Sequence, residues 1–194
     1  GLVLQSPKGQ ASFTHWSFGQ LCRTVGAPAG YLRSLPPANA ASDLNYGLHD
    51  AAAVGTTASL LVKANGVAPV IRACTSETYG RLWDVDLDRA IKANILDTDP
   101  AWQTPPTWTP GEVSGLYRGD RDSFRIYVNG GSIVNDPSLT GKPGGQLYRG
   151  IMVRNSEVGA SGLIIERVLF EYICGNHNLW GAVIDRKYSR RHVG

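Results

Sequence analysis

Apolar residues recur at three- and four-residue spacing through the first quarter of the chain, a pattern typical of helices that bury one face. Capping and breaking residues divide this stretch, because Thr14 or Ser17 can cap a helix, Gly26 can end it and Pro36 stops the next one. The pattern predicts helices that start at about residues 14, 28 and 38, after a loose lead-in over residues 1–12. A further amphipathic helix is predicted from about residue 84.

Much of the remaining chain alternates between apolar and polar positions, which is the pattern of strands. Residues 59–64 and 67–74 flank Asn65-Gly66, a dipeptide that favours a hairpin with a type I′ turn. Further strands are predicted over the segments 113–118, 123–128, 148–155 and 163–174. The last of these is mostly apolar on both faces, which indicates a central strand. N-terminal helices followed by a mostly antiparallel sheet predict an α+β fold, with one domain over residues 13–194.

Composition narrows the class of protein. A chain of 194 residues with 42% hydrophobic and 18% charged side chains can bury a core and is too apolar for disorder. Its apolar runs are far shorter than the ~18 residues that a membrane span requires. Cys22, Cys74 and Cys174 lack metal-ligand spacing and are expected to be reduced thiols. We therefore expect a soluble cytoplasmic protein. Because the only methionine is Met152 and the chain stops after a basic run, we also expect it to be part of a longer chain.

The net charge of +3 is unevenly distributed along the chain. Residues 1–117 carry eight basic and nine acidic side chains, whereas residues 118–194 carry 11 basic and seven acidic ones. The densest basic run is residues 186–192, in which cations flank the aromatic ring of Tyr188. Such a run can neutralise phosphates while the ring stacks on a base, and the alternative interpretation is a solvated tail.

No known enzyme signature is present. Gly141-Lys142 lacks the leading glycine and the following Ser or Thr of a P-loop, and His177 has no nucleophile or carboxylate near it in sequence to make it a catalytic base. Residues 18–35 have the spacing of a helix-turn-helix, but Pro36 shortens the second helix. The shortened helix leaves only Arg33 and Ser34 to contact DNA bases. This favours a helical hairpin whose role is to pack in the core.

Five short blocks carry a family likeness. They are Phe18-Gly19-Gln20-Leu21-Cys22, the segment 26–36, Asp120-Arg121-Asp122-Ser123-Phe124, Asn155-Ser156-Glu157-Val158-Gly159 and Cys174-Gly175-Asn176. With these blocks in order, the chain resembles the phage/plasmid-like protein family, a domain of unknown function found on phages, prophages and conjugative plasmids. The resemblance implies a DNA-binding protein of a mobile element, acting in recombination or replication in a bacterial host cell. A single-strand binding and annealing protein that assembles into homo-oligomers is one such role.

A nucleic-acid site is predicted from the basic and aromatic residues of the C-terminal half, and no catalytic residue, metal or cofactor is predicted. The expected ligands of nucleic acid, preferably single-stranded DNA, are Arg118, Arg121, Arg125, Arg154, Lys187, Tyr188, Arg190 and Arg191. Tyr117, Tyr127 and Tyr188 are expected to offer stacking faces.

Two other functions stay open at this point. Asp120, Asp122 and Glu157 could hold a divalent metal ion if their strands are neighbours, which would make the protein a metal-dependent nuclease. Alternatively, exposed aromatic residues such as Trp102 and Trp108 could bind a host protein, in an antirestriction or host-interaction role without DNA binding. The modest net charge favours this host-interaction hypothesis over a dedicated DNA-binding module.

Overall fold

The computed structural model describes residues 2–64, 68–105, 115–134, 147–172 and 179–192. By their internal contacts, residues 1–80 with 193–194 form one unit and residues 81–192 form a second. Helices lie near the N-terminus and the strands form two mostly antiparallel sheets, which confirms the predicted α+β class. One domain over residues 13–194 stays a prediction.

The first unit combines a four-stranded sheet with three helices. Its elements are β1 (Val3–Ser6), β2 (Gly9–Phe13), α1 (His15–Thr24), α2 (Ala29–Ser34), α3 (Pro37–Ala53), β3 (Ser59–Ala64) and β4 (Pro69–Thr75). The strand order is β1-β2-β4-β3, with β2 and β4 parallel and the other pairs antiparallel. The three helices and the β3–β4 hairpin follow the prediction, and the turn at Asn65-Gly66 lies outside the described residues.

The segment expected to be a loose lead-in forms the β1–β2 hairpin. The pairing runs in antiparallel register from Val3 opposite Ser12 to Ser6 opposite Gly9. Gly9 turns the chain with a φ of 116°, and the backbone N of Lys8 donates to Oγ of Ser6 at 3.2 Å. Because these strands are short and most of their side chains are exposed, their alternation in sequence is too weak to indicate strands.

Polar side chains fix α1 against β4. Oγ1 of Thr14 accepts from the backbone N of Ser17 at 3.1 Å and caps the helix. Oγ of Ser17 donates to the carbonyl O of Ile71 at 2.6 Å, and the backbone N of Cys74 donates to Oε1 of Gln20 at 3.0 Å. Leaving such buried groups unpaired costs about 1–3 kcal/mol each, so the bonds select one placement of the helix. The apolar core beside them consists of Phe18, Leu21, Cys22, Leu32, Ala40, Leu44 and Cys74.

The second unit packs one interrupted helix on a larger sheet. Its elements are α4 (Asp84–Ile91), a π-helix (Lys92–Leu96), β5 (Trp102–Gln103), β6 (Leu116–Arg118), β7 (Ser123–Val134), β8 (Leu147–Asn155), β9 (Leu163–Tyr172) and β10 (Leu179–Arg190). The strand order is β10-β9-β8-β7-β5, and β6 also pairs with β7. All of these pairs are antiparallel. β9 lies between β8 and β10, as its apolar sequence predicts.

The two faces of this sheet bury different clusters. The helix face, as we call the face against which α4 packs, contributes to a cluster of Leu87, Ile91, Tyr127, Ile151 and Val153. The opposite face buries Val128, Val168 and Phe170. Gly150 makes room for Phe170 there, because a Cβ at this position would overlap the Phe170 ring and lie 2.9 Å from the carbonyl O of Tyr127. In the described ranges, no helix is both long and apolar enough to cross a membrane.

Candidate nucleic-acid interface

Exposed basic side chains lie on the helix face of β8, β9 and β10. Arg186 is opposite Arg167, which is opposite Ile151, and Tyr188 and Arg190 follow at two-residue spacing. Paired residues share a face and side chains alternate along a strand, so these groups project from one side of the sheet. We call the following set the basic strip: Arg149, Arg167, Arg186, Tyr188 and Arg190.

The basic strip is accessible and carries four arginines. Each of its members is exposed, and Tyr188 retains 54% of its accessible surface. Among the side chains that the structure describes on these three strands, Glu166 carries a carboxylate. It lies on the opposite face, where its Oε1 is 3.1 Å from Nζ of Lys187. The arginines of the strip bring positively charged side chains to the helix face, and positive charge attracts phosphate groups.

At the other end of the helix face, charges are paired. Nε of the buried Arg125 donates to Oδ1 of Asp88, and Nη2 of Arg125 lies 3.4 Å from Oδ1 of Asp84. Oδ2 of Asp88 accepts from Nη2 of Arg118. Burial by itself would lower the pKa of Arg125, but the hydrogen bond to Asp88 and the charges of both aspartates outweigh it and raise that pKa. Arg125 is therefore a permanent cation that holds α4 on the sheet.

Two polar side chains of the sheet complete this buried network. Oγ of Ser123 and Nδ2 of Asn155 each donate to Oδ1 of Asp84 at 2.8 Å. The backbone N of Asp84 in turn donates to Oε1 of Glu157 at 2.9 Å, which places a carboxylate at the N-terminus of α4, where the helix dipole favours it. The start of α4 is thus fixed on β7 and β8.

A cleft opens on the helix face between the π-helix and the strands β8 and β9. It has a volume of about 640 Å³. Its lining includes Asn94, Ile95, Trp102, Arg149, Ile151 and Arg167. Two arginines of the basic strip therefore also line a concave, partly aromatic site, whose size is that of small-molecule sites.

The predicted nucleic-acid ligands do not share one face of the sheet. Tyr188 and Arg190 lie in the basic strip, and Arg191 is exposed directly after β10. Arg154 and Lys187 project from the opposite face, as their register in the sheet requires. The alternation of a strand separates residues that are adjacent in the basic run of the sequence.

The ligands predicted nearer the N-terminal end of the sheet have other environments. Arg125 is buried, which corrects the expectation that it lines an exposed groove, because α4 covers this position and supplies Asp84 and Asp88 as its partners. Arg118 is exposed and paired with Asp88. Arg121 is exposed in the connection between β6 and β7, where its carbonyl O accepts from Oγ of Ser156 at 2.5 Å.

The three predicted stacking residues also differ in environment. Tyr127 is buried beneath α4, where burial raises the pKa of its hydroxyl, so it cannot stack on a ligand. Tyr117 is exposed and stacks on Phe124 with ring centroids 5.4 Å apart. Tyr188 is the predicted aromatic that the structure places among the arginines of the basic strip.

The described part of the chain does not show the arrangement of ligands that the metal hypothesis requires. Within those ranges, no group of three or more His, Cys, Asp or Glu side chains is placed to hold a metal ion. Glu157 accepts from the N-terminus of α4, as described above, and the carbonyl O of Asp122 accepts from the backbone N of Gly119 at 2.9 Å in the turn. These residues therefore have roles in a helix start and a turn.

The host-interaction hypothesis rests on two tryptophans, one of which is described. Trp102 is half-buried and packs against the apolar cluster that includes Leu87 and Ile91. Trp108 lies outside the described residues. Gly141-Lys142 and His177 also lie outside them. Trp102 also lines the cleft described above.

The helix-turn-helix candidate is a packing hairpin, as its sequence favours. Nη2 of Arg33 donates to the carbonyl O of His15 at 2.8 Å, and its guanidinium lies 5.0 Å from the ring centroid of Phe18. Oγ of Ser34 donates to the carbonyl O of Tyr31 at 2.7 Å. Both side chains that could read DNA thus bind the hairpin itself.

The ligands predicted from the sequence do not include three members of the basic strip. Arg149, Arg167 and Arg186 lie on different strands, and their alignment depends on strand register. The two-residue spacing of Arg186, Tyr188 and Arg190 was the available signal, since it indicates one face of a strand. A register shift between Ile184 and Arg186 prevents simple extrapolation from the rest of β10.

Comparison with known proteins adds no assignment. No family model matches the chain, and the comparisons with curated proteins and with solved structures also find no match. The likeness to the phage/plasmid-like family therefore stays a prediction that rests on the five sequence blocks.

Proposed function

We propose that the chain binds single-stranded nucleic acid across the basic strip. The single observation that carries the proposal is the alignment of four exposed arginines with exposed Tyr188 on one face of a sheet. Arginines that follow a strand neutralise successive phosphates, and an aromatic ring among them stacks on a base without regard to sequence.

The geometry favours a single strand over a duplex. Stacking on Tyr188 requires an unpaired base whose face is open, whereas the bases of a duplex are already stacked on each other. The helical hairpin that could have entered a major groove has its polar side chains engaged internally. The basic strip offers phosphate and stacking contacts instead of base-edge contacts, which predicts weak dependence on sequence.

The likeness to the phage/plasmid-like family supplies the biological setting of the proposal. A single-strand binding protein of a mobile element would act in recombination or replication, and annealing by homo-oligomers is one form of that action. The assembly state with and without single-stranded DNA tests this part separately. Rings or larger assemblies that form with DNA support annealing, and a protein that stays monomeric on DNA contradicts it.

Binding itself is tested with a fluorescein-labelled oligothymidylate, whose anisotropy rises when the protein binds. The double substitution Arg186→Gln/Arg190→Gln removes two charges from the basic strip and is expected to weaken binding by about tenfold or more. Arg121→Gln/Arg154→Gln is the matched control, because it removes the same charge from exposed positions outside the strip. Absence of binding by the unaltered protein at low salt, or equal losses in the two variants, contradicts the proposal.

A further inference from the structure

A second concave site is formed by residues of the first unit. A pocket of about 360 Å³ opens where the end of β2, the start of α1, α2 and the start of α3 meet. Its volume lies within the range of small-molecule sites. Its apolar lining includes Leu2, Phe13, Phe18, Leu32, Leu35 and Pro37. The pocket therefore offers an apolar group a site that the proposed function does not use.

The apolar wall of this pocket is built into the core. Phe18 and Leu32 are buried in the core of the first unit, and Phe13 packs against that core. The rings of Phe13 and Phe18 meet edge to face, with their centroids 6.4 Å apart. Beside them, Oγ1 of Thr14 accepts from the backbone N of Ser17 and donates to Oγ of Ser17 at 3.0 Å, so this hydroxyl is satisfied within the protein. A ligand therefore meets an apolar surface that is already ordered, which lowers the entropy cost of binding.

The connection between α2 and α3 forms the rim of the pocket. Leu35 has φ −78° and ψ 155°, and Pro36 has φ −51° and ψ 142°, so this connection is extended. The rings of Pro36 and Pro37 restrict the backbone here, which limits how closely α2 and α3 can approach each other. The shape of the pocket is therefore set by the backbone as well as by side chains.

A permanent cation, Arg33, lines the same pocket. Its Nη2 donates to the carbonyl O of His15 at 2.8 Å, and its guanidinium lies 5.0 Å from the ring centroid of Phe18. Both contacts orient the guanidinium, but neither partner carries a charge that would neutralise it. The hydrogen bond to His15 uses one of the five N–H groups of the guanidinium. Because Arg33 is exposed and no Asp or Glu is among the described residues that line the pocket, this side chain can pair with an anionic ligand.

We infer that this pocket binds a small carboxylate with an apolar body, whose carboxylate pairs with Arg33 and whose body lies against Phe13, Phe18 and Leu32. The planar guanidinium matches the two oxygens of a carboxylate. One cation balances the single charge of that group, whereas a phosphate monoester would bring close to two negative charges. The inference goes beyond the proposed function, because the residues of the basic strip belong to the second unit.

Isothermal titration calorimetry at pH 7 with three probes tests the ligand class. The probes are octanoate, octanamide and acetate, each used below its micelle concentration. Octanamide has the same apolar body without the charge, and we expect it to bind about tenfold more weakly than octanoate, the effect of losing a charge-assisted hydrogen bond. Acetate lacks the apolar body and should bind at least about a hundredfold more weakly. Absence of octanoate binding, or equal affinities for octanoate and octanamide, overturns the inference.

Two matched variants test the role of Arg33. Arg33→Gln removes the cation of the pocket and is expected to abolish the preference for octanoate over octanamide. Arg23→Gln makes the same change at an exposed position of α1 that does not line the pocket, and should keep the preference. A preference that survives in Arg33→Gln, or that falls equally in both variants, overturns the inference.

A photoreactive octanoate with a diazirine in its chain locates the site in the unaltered protein, so the inference stays testable if Arg33→Gln does not fold. After illumination, peptide mass spectrometry should find the label on the segments 12–18 or 32–40, which contribute most of the lining. An excess of unlabelled octanoate should prevent this labelling. Labelling confined to other segments overturns the inference, and none of these outcomes bears on nucleic-acid binding by the basic strip.

Discussion

Nε of Arg125 on β7 donates to Oδ1 of Asp88 on α4, across 37 positions of sequence. Because Asp88 also accepts from Arg118, one carboxylate links a buried and an exposed arginine of the sheet to the helix. This link holds α4, and through α4 the π-helix, over β7 and β8. The cleft, which the π-helix lines, therefore depends on an ion-pair network whose own residues do not line it.

The substitution Arg125→Met is expected to destabilise the second unit strongly. It leaves the carboxylates of Asp84 and Asp88 without their buried partner, and breaking a buried pair typically costs about 3 kcal/mol or more. Asp88 is about one-third exposed (34%), so water solvates its carboxylate and offsets part of that loss. We therefore expect a loss in the free energy of unfolding of about 3 kcal/mol. Urea unfolding followed by circular dichroism measures it.

Arg154→Met is the matched control for this prediction. Arg154 is exposed on the opposite face of the sheet, so the same change in side chain should alter the free energy of unfolding by no more than about 0.5 kcal/mol. Equal losses of stability in the two variants would show that the Arg125 network contributes nothing beyond an exposed arginine.

The substitution Gly150→Ala is expected to destabilise the sheet by about 1–3 kcal/mol, because the added methyl group overlaps the ring of Phe170. Gly30→Ala adds the same group on α2 with nothing within 4 Å, and should be neutral or slightly stabilising. In a double-mutant cycle, Phe170→Leu should recover part of the loss caused by Gly150→Ala. Additive effects of the two substitutions would contradict a direct clash between these residues.

Cys22 and Cys74 are expected to resist alkylation in the folded protein. Burial raises the pKa of both thiols, so at a given pH each has less of the reactive thiolate than a free cysteine. Iodoacetamide labelling followed by peptide mass spectrometry should show modification more than about tenfold slower in buffer than in urea. Raising the pH should speed labelling in the folded state. Equal rates in buffer and urea would place these thiols at the surface.

The salt dependence of nucleic-acid binding should locate the phosphate contacts. For single strands, the slope of log K against log salt changes by about 0.7 for each phosphate contact. Arg149→Gln/Arg186→Gln should therefore flatten the slope by about 1.4. The Arg121→Gln/Arg154→Gln control should leave it unchanged. Titrations at several salt concentrations give both slopes, and a flatter slope in the control alone would assign the contacts to a different surface.

Local sequence signals predicted most of the fold. The sequence offers Thr14 or Ser17 as the cap of α1, and Thr14 is the cap in the structure. The alternation at Ser123–Val128 predicts β7, and the apolar run of β9 predicts a central strand. The β1–β2 hairpin was missed because its strands are short and exposed. Each of the successful predictions depends on residues close together in the chain, where periodicity and capping act directly.

The candidate site depends on contacts that sequence does not encode locally. Arg125 looked like an exposed ligand because its alternation with Phe124 and Ile126 gives no indication that α4 covers this face. Arg149 and Arg167 became neighbours of the same cleft only through the register of β8 and β9. Charge alone located the basic half of the chain, and tertiary structure divided that half into a buried network and an exposed strip.

The basic strip is assembled from three different strands. Arg186, Tyr188 and Arg190 come from the outermost strand of the sheet, and they join Arg149 and Arg167 only after β10 has paired with β9. A ligand that spans the strip therefore couples its own affinity to the docking of β10, by the linkage that stabilises any state a ligand prefers. Bound nucleic acid would thus stabilise the pairing of β10 with β9. Protection of β10 from local unfolding would then increase when the site is occupied.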